Sequence, residues 1–399
     1  MSLPTVEEAL ATMLGAVSPL GGEAVSVWEA DGRWLAQAVL ALRDQPPFSA
    51  SAMDGWAVRQ ADAVTGAELR IVGESAAGRG LTETVGPGQA ARIFTGAPLP
   101  PGAERVVVQE DAERRGNVVV VTGSPSASRH VRAQACDFAD GQRLLENHVR
   151  LNPWRVALAA AAGCDRLLCG ARPRVALLAT GDELVEPGQP VGDHQIYNSG
   201  TPALAAFVGR HGGLPVVLPA TEDSIEAIAA RMGGDDFDIL VTVGGASVGD
   251  HDLVKPAART LGAEILVDKV AMRPGKPVWF ARLPDGRPVL GLPGNPASGL
   301  VCAELFLGPL LAALQGGKAD SRFETAILAE PLAANGPRDH YIRAAVEAGD
   351  DGARRVRPFA DQDSSLVTVM AAANALIRRP PFAPAAEAGT VVAVFGPTL

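Results

Sequence analysis

The sequence predicts a multidomain α/β plus β protein, and three observations carry that expectation. From residue 172 to 316, apolar strand-like runs alternate with capped helical segments. From 46 to 138, and again after 317, short apolar runs are separated only by Gly/Pro turns. The 44 glycines and 31 prolines fall at element ends rather than in low-complexity tracts, which marks many tight turns and not disorder.

A chain of 399 residues is long enough for two or three cores of ordinary size. Its 47% hydrophobic and 20% charged content is that of a globular protein. Aromatic residues make up only 5%, so the cores must be built from Ala, Val and Leu.

Along the chain, Thr5 can cap a helix to Leu14, with Glu7 and Glu8 in its first turn. Trp34, Leu35, Ala38, Val39 and Leu42 have helical spacing, which predicts a second helix over 33–42. Apolar runs at 69–72, 91–94, 105–108 and 117–121 predict a β-rich module over 46–138. Helical character returns at Asn152-Pro153, a cap followed by proline in the first turn, and Gly163 can end that helix. The β module therefore reads as an insertion within a helical linker domain formed by 1–45 and 139–171.

In the α/β region, strands are expected at 175–179, 216–218, 239–243, 278–281 and 288–292. Helices are expected from Asn198 or Ser199 to Val208, from Thr221, Asp223 or Ser224 to Met232, over 253–261, and over 296–315. This alternation predicts a mostly parallel sheet covered on both faces, with ligands beyond the carboxyl ends of its strands. The tail, 317–399, reads as a small all-β domain with strands at 323–329, 341–346, 376–378 and 390–395.

A net charge of −10 and a pI near 5.2 exclude the broad basic surface of a sequence-independent nucleic-acid binder. They leave open an anionic small substrate held by a local basic cluster or a metal ion. The four cysteines, at 136, 164, 169 and 302, form no CxxC pair, so reduced thiols are expected. The N-terminal segment has no basic flank followed by an apolar stretch, and so no signal peptide is expected. The longest apolar run, 297–314, carries Glu304 and Gly308-Pro309, which suits a buried, kinked core helix better than a membrane span. Together these place the protein in the cytoplasm.

Four strand-end loops carry polar groups that a fold alone does not need. Asp182 and Glu183 follow a strand; paired carboxylates there suit a hard cation such as Mg²⁺, or a solvated capping turn. Gly244, Gly245 and Ser247 open a Gly-rich loop that runs to Asp252 and could nest an anion. The loop also matches G-x-S-x-G, but no later histidine stands where a serine hydrolase needs one. Lys269, Arg273 and Lys276 place three cations in eight residues, which suits a small oxyanion or a surface cluster. Pro293, Pro296 and Ser298 surround a helix start at Asn295, an anion-favouring position or an ordinary turn. In the β module, Asp54-Gly55 alone would mean only a hairpin turn. Thr95 and Asp137 are equally unspecific by themselves.

Taken in order, SAMDGWAV, TGAPLP, TGDEL, VTVGGASVGDHD, RPGKP and GLPGNPAS resemble the MoeA-type molybdopterin molybdenumtransferases, the family of the gephyrin E domain. The resemblance runs from about Thr5 to the C-terminus. It implies a helical linker domain with a β-rich insertion, a molybdopterin-binding α/β domain and a C-terminal β-barrel. It also implies homodimers whose sites lie between subunits, and insertion of molybdate into molybdopterin-AMP with Mg²⁺ and release of AMP. By position it assigns catalytic roles to Asp54, Asp137, Glu183, Asp223 and Asp252, and metal contact to Asp182, Glu183, Asp223 and Asp252. Substrate contacts fall on Thr95, Gly244, Gly245, Ser247, Lys269, Arg273, Lys276, Pro293, Pro296, Ser298, Arg338 and Ser364. Arg273 stands where several relatives have Lys. The pathway's adenylyltransferase and recipient molybdoenzymes are the partners it implies. An adenylyltransferase proper would be shorter, and a scaffold protein would carry a long disordered linker; neither matches this chain.

Overall fold

The computed structural model describes residues 3–124, 126–219, 221, 224–234, 236–244, 253–318 and 323–396. The first helix, Val6–Gly15, starts at a reciprocal cap. Thr5 Oγ1 accepts from Glu8 N at 3.2 Å, and Glu8 Oε2 accepts from Thr5 N at 2.8 Å. Its apolar residues Val6, Ala9 and Met13 are buried in the same core as Leu311 and Leu314, so this helix packs on the α/β domain.

Strands Gly22–Ser26 and Arg166–Gly170 pair antiparallel in the linker region. Helix Pro153–Ala161 is capped as expected: Asn152 Oδ1 accepts from Arg155 N at 2.9 Å. The helix expected over 33–42 is absent. That segment is extended, with Val39–Leu40 paired to Arg143–Leu145. Its amides bond far along the chain, Leu35 N to Val149 O, Ala36 N to Leu168 O and Ala41 N to Gln142 O. Leu35 is fully buried between these neighbours. The helical spacing of its apolar residues is overridden by this tertiary pairing.

The inserted module is a six-stranded sheet in the order Arg105–Val108, Gly55–Val58, Gln89–Ile93, Glu68–Ser75, Val118–Val121, Ala112–Arg115. The α/β sheet is also six-stranded, in the order Leu214–Val217, Arg174–Ala179, Ile239–Val243, Pro288–Leu292, Trp279–Arg282, Glu264–Val267. The first four strands are parallel, Trp279–Arg282 runs antiparallel to them, and Glu264–Val267 runs antiparallel to Trp279–Arg282. The sheet is therefore mixed, with a parallel portion at the strand ends that matter below. Central strands Arg174–Ala179, Ile239–Val243 and Pro288–Leu292 are buried almost throughout, covered on one face by Phe207, Leu307 and Leu311 and on the other by Ile228, Met232 and Ala257. Such strands have no exposed flank for polar chemistry, so functional groups are confined to their ends.

The long core helix runs as Pro296–Cys302, a π-helical turn Ala303–Leu307, and Gly308–Leu314. The π turn precedes Pro309, which has no N–H to continue the regular ladder. By length and composition this helix could cross a membrane, but 83% of its apolar window is buried inside the protein.

The tail closes into a barrel. Asp339–Ala348 pairs with both Arg354–Pro358 and Ala375–Arg379, and Phe323–Leu328 and Val391–Phe395 complete the ring. A short strand, Met272–Arg273, joins it alongside Asp339–His340. Three parts of the chain meet here. Ala271 N donates to Pro4 O at 2.8 Å, and Asp339 N donates to Ala271 O at 2.9 Å. The Asp339 carboxylate, only 4% exposed, accepts from Arg378 Nε and Nη2, and Arg378 also pairs with Glu7 of the first helix.

In the sheet interior, Trp279 lies across Gly291, whose added Cβ would sit 1.8 Å from the indole nitrogen. Gly291→Ala must displace a rigid, fully buried ring, at a cost of about 2 kcal/mol or more. A clearly lower urea midpoint is expected; an unchanged midpoint would show that the ring is free to move.

Candidate active site

A cavity of about 830 Å³ opens where the parallel strands end. Thr180, Gly181 and Glu183 follow Arg174–Ala179; Gly244 follows Ile239–Val243; Pro293, Gly294, Asn295 and Pro296 follow Pro288–Leu292. All of them line it, together with Ile196, Tyr197, Asn198 and Pro277, and with Ser365 and Val367 from the barrel domain.

Each loop has a local cause. Gly181 has φ +138°, and the Glu183 carboxylate folds back over it, 2.5 Å from where a Cβ would stand. Gly244 has φ +98° and lies against the Thr180 carbonyl with no room for a side chain. Asn198, 4% exposed, accepts from Thr201 N at 3.1 Å and so caps helix Gly200–Arg210 from one residue upstream of Ser199. Its amide donates to Glu186 and Thr201, which ties the 184–197 segment to that helix.

Asn295 stands at the helix start as expected, yet its side chain makes no cap. Its Nδ2 donates instead to Ser364 Oγ at 2.9 Å, across the boundary between the α/β and barrel domains. Ser298, also expected at the site, is buried in the first turn of that helix. The barrel loop is held from behind. Arg343 N donates to Gln362 Oε1 at 2.9 Å, and Gln362 Nε2 donates to the carbonyls of Arg343 and Phe359. Asp363 Oδ1 accepts from Ser365 N and Oγ, and these bonds hold its carboxyl below the usual range.

The basic loop flanks the cavity. Pro277 lines it, while Arg273 and Lys276 beside it are exposed and Lys269 is half-buried. Val270 N donates to Lys276 O and closes the loop. Gly275, φ +104°, is packed on the Cys302 thiol. Lys269 follows Asp268, whose carboxyl is lowered by the hydrogen bond from buried Lys255 Nζ at 2.8 Å. Arg273 lies in register with His340. Burial first, then Arg273, Arg338, Arg343 and Arg379, push the His340 imidazole down to about 4, so it is neutral near pH 7.

Arg338 is half-buried at the barrel's edge and does not line the cavity. Arg343, passed over in the sequence, is 1% exposed and stands directly behind the 361–365 loop with its Nη1 unpartnered. An arginine inside the run Tyr-Ile-Arg-Ala-Ala-Val was the available clue. Asp223, Gly245, Ser247 and Asp252 lie outside the described residues, so the four-carboxylate metal site is represented here by Asp182 and Glu183 alone, both exposed. Among the described residues no three His, Cys, Asp or Glu side chains cluster as a metal site.

Two residues expected at the site do meet in the inserted module, away from this cavity. Asp54 Oδ1 accepts from Thr95 N and from Thr95 Oγ1, both at 2.8 Å. Asp137 is exposed, and its amide donates to Gln45 O.

The comparisons agree with this architecture. Residues 4–163 match the MoeA N-terminal region (domain I and II), 176–313 a probable molybdopterin binding domain, and 325–395 the MoeA C-terminal region (domain IV). A molybdopterin molybdenumtransferase of Nostoc sp. is 39% identical over 80% of this chain and 76% of its own length. Molybdopterin molybdenumtransferase 2 of Mycobacterium tuberculosis is 34% identical over 98% of both chains. The crystal structure of a molybdopterin biosynthesis MoeA protein from Pyrococcus horikosii superposes with a TM-score of 0.82 at 28% identity, covering 99% of each chain.

The Asp54–Thr95 pair gives a pH test. The Thr95 amide, then its hydroxyl, hold the Asp54 carboxyl below its ordinary value. Whatever stability these bonds lend is therefore present above the ordinary carboxylate range and is lost as pH falls through the depressed value. In Thr95→Val the amide bond stays and the hydroxyl bond goes, so the Asp54 midpoint followed by carboxyl NMR should rise part of the way back. No movement would mean that the hydroxyl bond is absent in solution.

Proposed function

The chain belongs to the MoeA family, and from that premise we propose that molybdate is inserted into an adenylylated molybdopterin, with release of AMP, in the cavity of about 830 Å³ at the strand ends. The observation that carries this is the meeting of an acidic loop, a glycine approach and the Pro-Gly-Asn-Pro turn in one cavity, which Pro277 at the end of the basic loop also lines. A small oxyanion and a phosphorylated pterin need those two charge types side by side.

Arg273 and Lys276 bind and orient the oxyanion, Arg through a planar fork and Lys as a point charge. Lys269, Ser298 and Ser364 extend the set of donors around them, and Arg343 adds a buried cation behind the barrel loop. Gly244 lets the substrate approach the backbone closely. Molybdenum passes to the dithiolene sulfurs of the substrate, so the protein supplies placement and charge rather than a nucleophile.

A Mg²⁺ ion suits the donors present: the Glu183 carboxylate turned over Gly181, and Asp182 next to it, are hard oxygen ligands. Asp223 and Asp252 would complete that set. When bound, the ion would offset charge on the substrate's phosphoanhydride. Asp54, Thr95 and Asp137 sit in the inserted module, outside the lining of this cavity. Their role is best served if a second copy of the chain presents them, so the working unit is a homodimer. The reaction belongs to the cytoplasm, between the adenylyltransferase that supplies the substrate and the molybdoenzymes that receive the product.

Loss of one charge-assisted contact to an oxyanion is worth about 1.5–3 kcal/mol, roughly tenfold or more in affinity. Lys276→Ala should therefore raise the KM for molybdate about tenfold or more and leave that for the adenylylated pterin nearly unchanged. Equal rises in both would place Lys276 on the pterin instead. Glu183→Gln should raise the Mg²⁺ concentration needed for half-maximal AMP release; an unchanged requirement removes Glu183 from the metal.

A further inference from the structure

Polar and apolar groups share the lining of the cavity, and one wall stands out. Ile196 and Tyr197 line it with 58% and 47% of their surfaces exposed, on a short strand paired only with Leu184–Val185. Tyr197 is the only aromatic residue among the described lining residues. In a chain with two tyrosines, an exposed ring at the rim of the cavity calls for a partner.

The ring is held in place. Its hydroxyl donates to Gln189 O at 3.2 Å, which fixes the far end and leaves the faces open. The strand is pinned along one edge, by Ile196 N to Glu183 O at 2.8 Å and Asn198 N to Val185 O at 2.8 Å. Glu183 is thus the acidic neighbour of this wall, in the backbone as well as in the cavity. A ligand with its phosphates at Glu183 would lay whatever is attached to them along Ile196 and Tyr197.

We propose that Tyr197 is the stacking platform for a planar nitrogen heterocycle of the substrate, and that Ile196 and Leu184 supply the apolar bed beside it. This rests on the cavity being the site of molybdate insertion and adds the residue that reads the substrate's ring. The adenylylated substrate carries two such rings, a pterin and an adenine; the shared chemistry is a flat, hydrogen-bonding heteroaromatic with a phosphate nearby. A preorganised ring face favours such a partner with little entropic cost, and stacking of this kind is typically worth about five- to tenfold in affinity.

The test is calorimetric binding to the full-length protein, using AMP, ribose 5-phosphate, neopterin and inorganic phosphate as probes. Tyr197→Ala and Tyr197→Leu should weaken AMP, neopterin or both about five- to tenfold. Ribose 5-phosphate and phosphate should be unaffected. Tyr197→Phe, which loses the bond to Gln189 but keeps the ring, should stay within about twofold of wild type. Loss for AMP alone assigns the platform to adenine, and loss for neopterin alone assigns it to the pterin. Unchanged affinity for both rings in the Ala and Leu variants overturns the proposal, as does an equal loss for ribose 5-phosphate. Wild-type protein that binds none of the probes overturns the assignment of the cavity itself, a separate failure. The Leu variant keeps apolar bulk in the wall, so the answer does not depend on the Ala variant folding.

Discussion

The arrangement of the whole site depends on one buried carboxylate. Asp339 receives two guanidinium bonds from Arg378, which reaches on to Glu7, while its own amide is bonded to Ala271 O. Through these contacts the barrel, the first helix and the start of the basic loop share one anchor. Such a buried pair is weak evidence for net stability, because desolvation offsets most of the attraction. Its value is directional. Removing one partner would leave a buried charge, a cost of about 3–5 kcal/mol, so alternative dockings of the barrel are strongly disfavoured. Met272 and Arg273 follow directly from that anchor and pair with Asp339 and His340, which fixes where the basic loop begins.

The parallel strands impose the complementary constraint. Their interiors are apolar on both faces, so the polar residues this chain needs can stand only where the strands end. An acidic molecule, with net charge −10, then has to build a favourable place for anionic substrates locally. The cations available near the cavity are the exposed Arg273 and Lys276, in the loop that ends at the lining residue Pro277, and the buried Arg343 behind the barrel loop, with the neutral His340 in register beside Arg273. Keeping His340 uncharged avoids adding another charge to a region already crowded with arginines.

Much of this was legible in the sequence, and the exceptions have physical causes. The caps at Thr5, Asn152 and Ser224 stand where short polar side chains precede apolar periodicity, because capping is a local interaction. Strands Arg174–Ala179 and Ile239–Val243 are apolar throughout and could be read directly. Segment 33–42 could not, because its fate depends on partners more than a hundred residues away. Strands Glu264–Val267 and Arg354–Pro358 escaped notice because one is short and the other is largely polar. At the site, the loops adjoining strand ends were foreseeable, as their glycines and prolines mark close approach and turns. The Asp54–Thr95 bond spans 41 residues and the Asn295–Ser364 bond spans 69, and no local pattern encodes either. The resemblance names Arg338 and passes over Arg343; Arg338 precedes the strand Asp339–Ala348 and is half-buried, whereas Arg343 lies within it and is buried, a difference set by the barrel's packing rather than by local pattern.

Asn295 shows how the two domains trade a local interaction for a global one. At a helix start, an Asn side chain ordinarily bonds the free amides of the first turn, worth about 1 kcal/mol. Here that option is given up, and the amide is spent on Ser364 of the barrel loop. Ser364 can be a reliable partner only if its loop is fixed independently. The Gln362 side chain does this by pairing with the Arg343 backbone in both directions, as a neighbouring strand would, while Asp363 accepts from Ser365 on the far side of Ser364. The same bonds that fix the loop hold the Arg343 side chain behind it. The barrel is therefore joined to the α/β domain by a side-chain hydrogen bond beside the cavity as well as by the anchor at Asp339, and the loop that makes that bond is braced against the Arg343 backbone.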